Sequence, residues 1–548
     1  GLRILATACL LAATLSAERV TVTLLATTDL HGNIYPVDYF TSRPVNRGLA
    51  KIATLIKAAR RENPNTLLID CGDTIQGSPV ESVWQQYVQD GRLPPGLRFV
   101  EPLRQDPLML VMNTLGYKAM VLGNHEFNFG LKNLDRARSE ARFPWLSANT
   151  AAAGRARPFD PYLVDSLGGV KIAVIGVTTT SIPAWEPPDH YQGYRFLDAR
   201  QAVESALAEL RRRHAPDLVV VGVHDDDRVA VEIAEQVSGI DAVVFGHTHQ
   251  SLAGRRIGGA LVVQPRHWGM SLARIDFTLD RKSRAGWNVV HKSSRLVPVS
   301  AQTAADPEVL ALARPHHELT ERYLNTPVAR AETEMDGRLG RIQDTPLVDA
   351  VHEVQMHYAR ADVSFTALFN PRVRIRRGAV TVRDIAALYV YDNDLYAIEG
   401  DGRMVKEALE NAGRFFRSCP DAACSQGPLI NRGIPGFNFD MAQGVQYEID
   451  LTRRAGDRIV NLRRNGRPLR PDEKLRIAVN NYRAGGSGGY DMFRRARVVW
   501  KSPQDVRTLM IEYFSLRRKL PAKADDNWRI IPPQAVRLLF SEAAPGID

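Results

Sequence analysis

The feature that most constrains this chain is a pattern of short apolar runs, each stopping at a cluster of metal-compatible side chains. Ala119 to Gly130 reads AMVLGNHEFNFG: an apolar run that ends at glycine and delivers Asn124, His125 and Glu126 in a row. Four other runs in the N-terminal half end the same way: VTVTLLATTDLHG at 20–32, TLLIDCGD at 66–73, DLVVVGVH at 217–224 and DAVVFGHTH at 241–249. A continuous apolar run of this length is the signature of a strand buried on both faces. Open α/β sheets bind ligands beyond the carboxyl ends of their strands. The five runs therefore predict one site at which Asp, Asn and His converge.

Between these strands lie segments with helical spacing of apolar residues, GLAKIATLIKAARREN at 48–63 and DARQAVESALAELRRRH at 198–214. Alternating strand and helix predicts a layered α/β domain over residues 18–300. At 301–328, an Asp306-Pro307 helix start and helix-friendly composition predict a linker helix carrying Pro315 in its interior. Residues 329–548 read as a second α/β unit, with helices near 345–360 and 403–416 and strands near 445–451 and 475–480.

Composition excludes several classes. Of 548 residues, 44% are apolar and 24% charged, as in ordinary globular proteins, which excludes global disorder. The net charge of +10 is spread along the chain rather than gathered in a stripe, so no nucleic-acid polymer is expected as a partner. Residues 1–17 combine Arg3, a short apolar core and small residues Ser16 and Ala17, and read as a cleaved signal peptide. A secreted or periplasmic monomer without stable membrane insertion is the expectation. In an oxidising compartment Cys419 and Cys424 could close a small loop, leaving Cys71 as a buried thiol beside the site.

The chemistry follows from the donor set. Asp29 and His31 share one turn, Asp73 has two oxygens able to bridge two cations, Asn124 offers an amide oxygen, and His224, His247 and His249 offer imidazoles. Oxygen and nitrogen donors without thiolate suit a pair of divalent ions, Mn, Zn, Fe or Co, without choosing among them. Such a pair clamps a phosphoryl group and activates water, leaving His125 free for the leaving oxygen. Each piece alone has an ordinary use, as a cap, a turn or a core imidazole. Jointly, those uses do not explain five apolar runs with the same kind of ending.

D-x-H, GD, GNHE, Gly-x-His and GHTH in this order resemble the calcineurin-like metallophosphoesterases, and the second half resembles the C-terminal domain of the 5′-nucleotidase family. HGNIYPVDYF at 31–40, DCGDTIQGSP at 70–79, YVYDNDLYAIEGDGRMVKEALE at 389–410, GFNFDMAQGVQYEID at 436–450 and AVNNYRAGGSGG at 478–489 resemble the bifunctional 2′,3′-cyclic-nucleotide 2′-phosphodiesterase/3′-nucleotidases.

The resemblance implies a four-layer αββα sandwich followed by a C-terminal nucleotide-binding α/β domain. It implies one metal on Asp29, His31 and His249, a second on Asn124, His224 and His247, Asp73 bridging, and His125 as the catalytic histidine oriented by Asn128. It further implies a base held between aromatic rings, placed by position on Tyr490 and on Phe437 or Phe439. Asn370 and one of Arg338, Arg341, Arg372 and Arg374 are the expected substrate contacts, with Arg374 selected. A hinge about the linker helix would then bring substrate to the metals. A 5′-nucleotidase or nucleotide-sugar hydrolase is the alternative enzyme. The alternative of another kind is a catalytically dead binding protein, because Asp225, Asp226 and Asp227 crowd His224 with negative charge.

Overall fold

The computed structural model describes residues 18–542 apart from 93, 95–96, 98–102, 155–156, 284–285, 392, 421–423 and 425–427. The expected signal peptide lies outside the described residues. Two six-stranded sheets lie face to face in the N-terminal half. In the first, Arg19–Thr27 pairs in parallel with Thr66–Asp70, which leads to Ala119–Val121 and Trp145–Leu146; the long antiparallel strands Ser271–Ser283 and Gly286–Pro298 complete it. In the second, Leu218–His224 lies between Val170–Thr178 and Ala242–Gly246, parallel to both.

The period-two alternation of a strand sorts side chains between layers. Along the first strand Val22, Leu24 and Ala26 enter the core between the sheets with Val220, Val244 and Val263, whereas Leu25 faces outward to the helices Leu49–Glu62 and Pro107–Leu115. On the far side Val219, Val221 and Val243 pack on the helices Ala199–Arg213 and Asp227–Gln236. The result is an αββα sandwich. Both faces of the central strands are buried, which is why their sequences read as unbroken apolar runs.

The helix Pro307–Leu324 starts where the sequence predicts. The Asp306 carboxylate accepts from the amides of Glu308 and Val309, both at 3.1 Å, and pairs with Lys57 at 2.7 Å. Such a cap contributes about 1 kcal/mol. The helix runs continuously through Pro315. Its first half puts Val309 and Ala313 in the N-terminal core, and its second half puts Leu319, Tyr323 and Leu324 in the C-terminal one. The C-terminal half is built on a five-stranded sheet in the order Asp440–Gln443, Val363–Ala367, Lys474–Asn480, Asp394–Asp401, Val498–Asp505, beside a four-stranded sheet that includes Gln446–Asp450 and Trp528–Ile531. Val80, Val83 and Trp84 of the N-terminal half insert into this second core. Cys419 and Cys424 are bridged, and Cys71 is a buried free thiol. Among the described residues no helix is long and apolar enough to cross a membrane.

One cluster in the second half makes stability depend on pH. Asp344, Asp349 and Asp525 bring carboxylate oxygens within 4.8 Å of one another. Burial, then the neighbouring carboxylates, raise Asp349 to about 8 and Asp344 to about 6. A carboxyl whose pKa is higher folded than unfolded stabilises the fold while protonated; that contribution is complete below about pH 4 and is lost as pH rises through the folded value. Thermal melts in chelator are expected to show Tm falling from about pH 5 to about pH 8, and falling less in Asp349→Asn. Parallel curves for the two proteins would refute this.

Candidate metal centre

The turns after the parallel strands meet at one end of the sandwich. Asp29, His31 and His249 present ligand atoms within 4.8 Å of one another, as do Asp73, His224 and His247, and as do His31, Asp73 and His125. Asn124 joins through its Oδ1, 3.2 Å from His224 Nε2. All the sequence-predicted ligand residues thus lie in one cluster, and Asp73 lies between its two halves.

Hydrogen bonds behind the ligands fix which atoms face inward. His31 Nδ1 lies 3.1 Å from the Gln76 carbonyl, and His224 Nδ1 lies 2.6 Å from the Cys71 carbonyl. A carbonyl only accepts, so each Nδ1 carries the proton and each Nε2 is left to face the centre. There His224 Nε2 meets Asp73 Oδ2 at 2.9 Å and Asn124 Oδ1, while His31 Nε2 meets His249 Nε2 at 3.1 Å. Around His224 Nε2 lone pairs converge with no donor among them unless the ring is protonated. Burial lowers the His224 pKa, but Asp73 and Asp29 lift it to about 10; Asp73, despite burial, is held well below the carboxylate range by His224, His125 and His31. The pocket is built around positive charge, and divalent cations fit that demand.

The backbone is strained to reach this geometry. Asp29, His31, Asp73, His247 and His249 all adopt left-handed φ, between 45° and 80°. Non-glycine residues rarely adopt such angles, at a cost on the order of 1 kcal/mol each, and they gather where function holds them. Glu126 ties the turns together: its buried carboxylate accepts from the amides of Gly123 at 2.8 Å, Asp73 at 3.0 Å and Thr74 at 2.6 Å. Gly123 is required there because a Cβ would land on Asp73.

His125 borders the centre, with its side chain 36% exposed, so the site opens to solvent on that side. Its amide donates to Asp73 Oδ1 at 2.8 Å, and its Nδ1 lies 2.5 Å from Asn128 Oδ1. Of the acidic run after His224, only Asp225 is buried, and it senses His224. Asp225 interacts with Thr179, and Asp226 and Asp227 are exposed at the start of the helix Asp227–Gln236, where negative charge suits the helix dipole.

Several substrate-site expectations are corrected. Phe439 is 1% exposed and packs on Phe415, Phe416 and Trp528. Tyr490 is 0% exposed, stacks on Phe493 and uses its hydroxyl to bond the Asn438 carbonyl and the Asp440 amide. Both are core residues closed to a ligand. The nearby glycines serve close packing: a Cβ at Gly488 would meet Asn438 and Arg483, and one at Gly489 would meet Asn411. Arg374 and Arg338 both pair with Asp336 at 2.8 Å on the surface. Asn370 is half-buried, its amide donating to the Ala387 carbonyl at 3.1 Å and its oxygen accepting from the Arg372 amide; Phe437 is half-buried.

Among the described residues of the second half, the exposed rings include Tyr391 and Tyr482, 44% and 39% exposed. Burial, then the neighbouring Tyr482, raises the pKa of the Tyr391 phenol, and the Arg341 and Arg483 guanidinium groups work against that rise. Phe369 braces Tyr391 edge-on at 5.2 Å, and the Arg483 guanidinium lies over Tyr482 at 5.4 Å. Arg483 is itself held by a two-pronged bond to Asp440, at 2.8 Å for each contact. The turn carrying Tyr482 touches the metal-side half: Asn481 Nδ2 donates to the Trp185 carbonyl at 3.1 Å, and the Trp185 ring lies 5.4 Å from that of His247. Sequence reading missed both tyrosines, although each stands inside a quoted motif; an aromatic among polar neighbours was the available signal.

The fold and donor set define a metal-dependent phosphoesterase, a hydrolase of ester bonds. The calcineurin-like phosphoesterase family model matches residues 22–251, and the 5′-nucleotidase C-terminal domain model matches residues 326–495. Residues 22–251 are thus similar to a calcineurin-like phosphoesterase domain and residues 326–495 to a 5′-nucleotidase C-terminal domain. It is 28% identical to the 2′,3′-cyclic-nucleotide 2′-phosphodiesterase/3′-nucleotidase of Salmonella typhimurium, over 98% of this chain and 93% of that protein. It is 27% identical to the trifunctional nucleotide phosphoesterase YfkN of Bacillus subtilis, over 96% of this chain but only 40% of that longer protein. A solved Staphylococcus aureus structure described as a 5′-nucleotidase superposes with a TM-score of 0.74 at 26% identity, covering 93% of this chain and 100% of the other.

Proposed function

We propose that this chain is a secreted enzyme that opens 2′,3′-cyclic nucleotides to 3′-nucleotides and then removes the 3′-phosphate, releasing nucleoside and phosphate. The observation that carries the phosphoesterase part is the convergence of metal-ligating atoms from Asp73, Asn124, His31, His224 and His249 on one small volume. In this reading Asp29, His31 and His249 hold one divalent ion, Asn124, His224 and His247 a second, and Asp73 serves both. When bound, such ions polarise a phosphoryl group and acidify water. Asp73 also anchors the His125 backbone amide, which sets the ring at the edge of the centre. His125 Nε2 then carries a proton to or from the ester oxygens.

Tyr391 and Tyr482 replace Phe439 and Tyr490 as the pair that grips the base. Stacking accepts any base, so the expected preference lies in the sugar phosphate rather than in the purine or pyrimidine. Arg341 takes the place given to Arg374: its guanidinium is within reach of Tyr391 and its Nε is buried without a partner. The nucleotide choice follows the cyclic-nucleotide motifs and the naming of the Salmonella relative. Secretion follows the apolar N-terminal segment and the Cys419–Cys424 bridge. The units proposed are a signal peptide at 1–17, a catalytic domain at 18–300, a linker helix at 301–328 and a nucleotide-binding domain at 329–548.

A substrate panel tests this. Phosphate release is expected from 3′-AMP, and from 2′,3′-cyclic AMP by way of 3′-AMP, with each of Mn, Zn, Fe and Co tried after chelator treatment. Release from 5′-AMP alone would favour a 5′-nucleotidase. No release under any metal would favour a binding protein.

A further inference from the structure

Behind His125 the hydrogen bonds continue past Asn128 to a carboxylate that sequence reading did not single out. Asn128 Nδ2 donates to Glu186 Oε1 at 2.5 Å, and the other Glu186 oxygen accepts from His190 Nδ1 at 3.0 Å. Glu186 is 6% exposed. Its backbone amide closes the short helix Ile182–Trp185 on the Ile182 carbonyl at 2.9 Å, and Pro187 and Pro188 follow, so its position is fixed from both sides.

The geometry matters because an asparagine amide has two ends of nearly equal shape and opposite polarity. With Oδ1 toward the ring, His125 must carry its proton on Nδ1, and Nε2, 3.9 Å from Asp73 Oδ2, is left to accept or hold a second proton at the edge of the centre. With the amide turned over, Nδ2 would donate to Nδ1 and force the proton onto Nε2. A carboxylate accepts only. Turning the amide over would set Oδ1 against Glu186 Oε1, an acceptor against an acceptor in a buried place, which is costly.

We propose that Glu186 is a positioning residue that holds Asn128 in one orientation and, through it, holds His125 with Nε2 available for proton transfer. The proposal rests on the reading of His125 as the proton-handling residue. It explains how an asparagine can stand beside a catalytic histidine. The amide supplies the contact, and a carboxylate one step further out supplies the direction. His190 keeps that carboxylate oriented from the other side.

The test uses the manganese-loaded enzyme with 3′-AMP and bis-p-nitrophenyl phosphate as probes. In Glu186→Gln the new amide can present either end, so Asn128 is no longer directed. Its kcat is expected to fall about 10- to 100-fold, the range for partners that orient a functional side chain, with KM within about threefold of wild type. The double variant Asn128→Asp with Glu186→Gln exchanges amide and carboxylate, restores a one-way acceptor for Nδ1–H, and is expected to recover at least about half of the lost activity on a logarithmic scale. Nitrogen NMR of the His125 ring in the metal-free protein should show the Nδ1-protonated form in wild type and the double variant, and a tautomer mixture in Glu186→Gln. A kcat for Glu186→Gln within about twofold of wild type, or a double variant no better than Glu186→Gln, overturns the proposal. If Glu186→Gln does not fold, the double variant and the ring spectra decide alone: loss of activity or a mixed tautomer in a folded double variant overturns it. Wild-type enzyme inactive on both probes would instead sink the functional reading on which the proposal stands.

Discussion

Replacing Asp73 by alanine is expected to remove phosphoesterase activity by on the order of a thousandfold or more, beyond the 10- to 100-fold typical of residues that only support a ligand. Asp73 is 1% exposed and faces His224 at 2.9 Å and His31 and His125 at 3.9 Å, so no other side chain can take its place. Elemental analysis of dialysed protein should show bound metal falling to at most one ion per chain, against two for wild type. Asp73→Asn, which keeps the shape and drops the charge, should behave nearly as badly, since the amide brings two donors into a place built for acceptors. Asp225→Asn is the companion control. It senses His224 but bonds Thr179 and is placed on neither metal, and its loss of activity should be far smaller than that of Asp73→Ala. A folded Asp73→Ala protein with full activity and full metal content would remove the basis of the proposed chemistry.

The second large effect belongs to the exposed rings. Tyr482→Ala is expected to raise KM for 3′-AMP by roughly 5- to 150-fold, the equivalent of the 1–3 kcal/mol that one stacked ring contributes. Tyr391→Ala should do the same. Hydrolysis of a base-free ribose phosphate should be nearly unchanged in either variant, which separates lost base stacking from damage to the metal centre. Phe439→Ala gives the opposite pattern: a destabilised protein, by about 3–5 kcal/mol for a buried phenylalanine, with an unaltered KM in the fraction that folds. Equal losses on nucleotide and base-free substrate would refute the role given to the tyrosines.

How much of this could be read from the sequence follows from what each signal measures. The catalytic half was legible because two independent patterns coincide there. A strand buried on both faces must be an unbroken apolar run, and the residue just past its end must lie at the sheet edge where ligands bind. Asp29, Asp73, Asn124, His224 and His247 therefore fall together from local text alone. The substrate side was not legible, because burial is a property of the packed whole. Tyr490 just after a glycine-rich run reads as an exposed ring on a loop, yet those glycines are there to let Asn411 and Arg483 pack closely. Arg374 reads as free until Asp336, which is 38 residues away, is placed beside it. Glu186 follows Trp185 and precedes two prolines, and nothing local ties it to Asn128, which is 58 residues earlier. Pairings of that kind are made by the fold and have no signature in neighbouring residues.

Pro315 gives the joint between the two halves its mechanical character. It sits between Ala313, anchored in one core, and Leu319, anchored in the other, and it removes one rung of the helix ladder at that crossing. A rod clamped at both ends and weakened once along its length bends at that spot and resists twisting elsewhere. On the proposed reading, any movement between the tyrosines and the metal ligands would be concentrated at that residue.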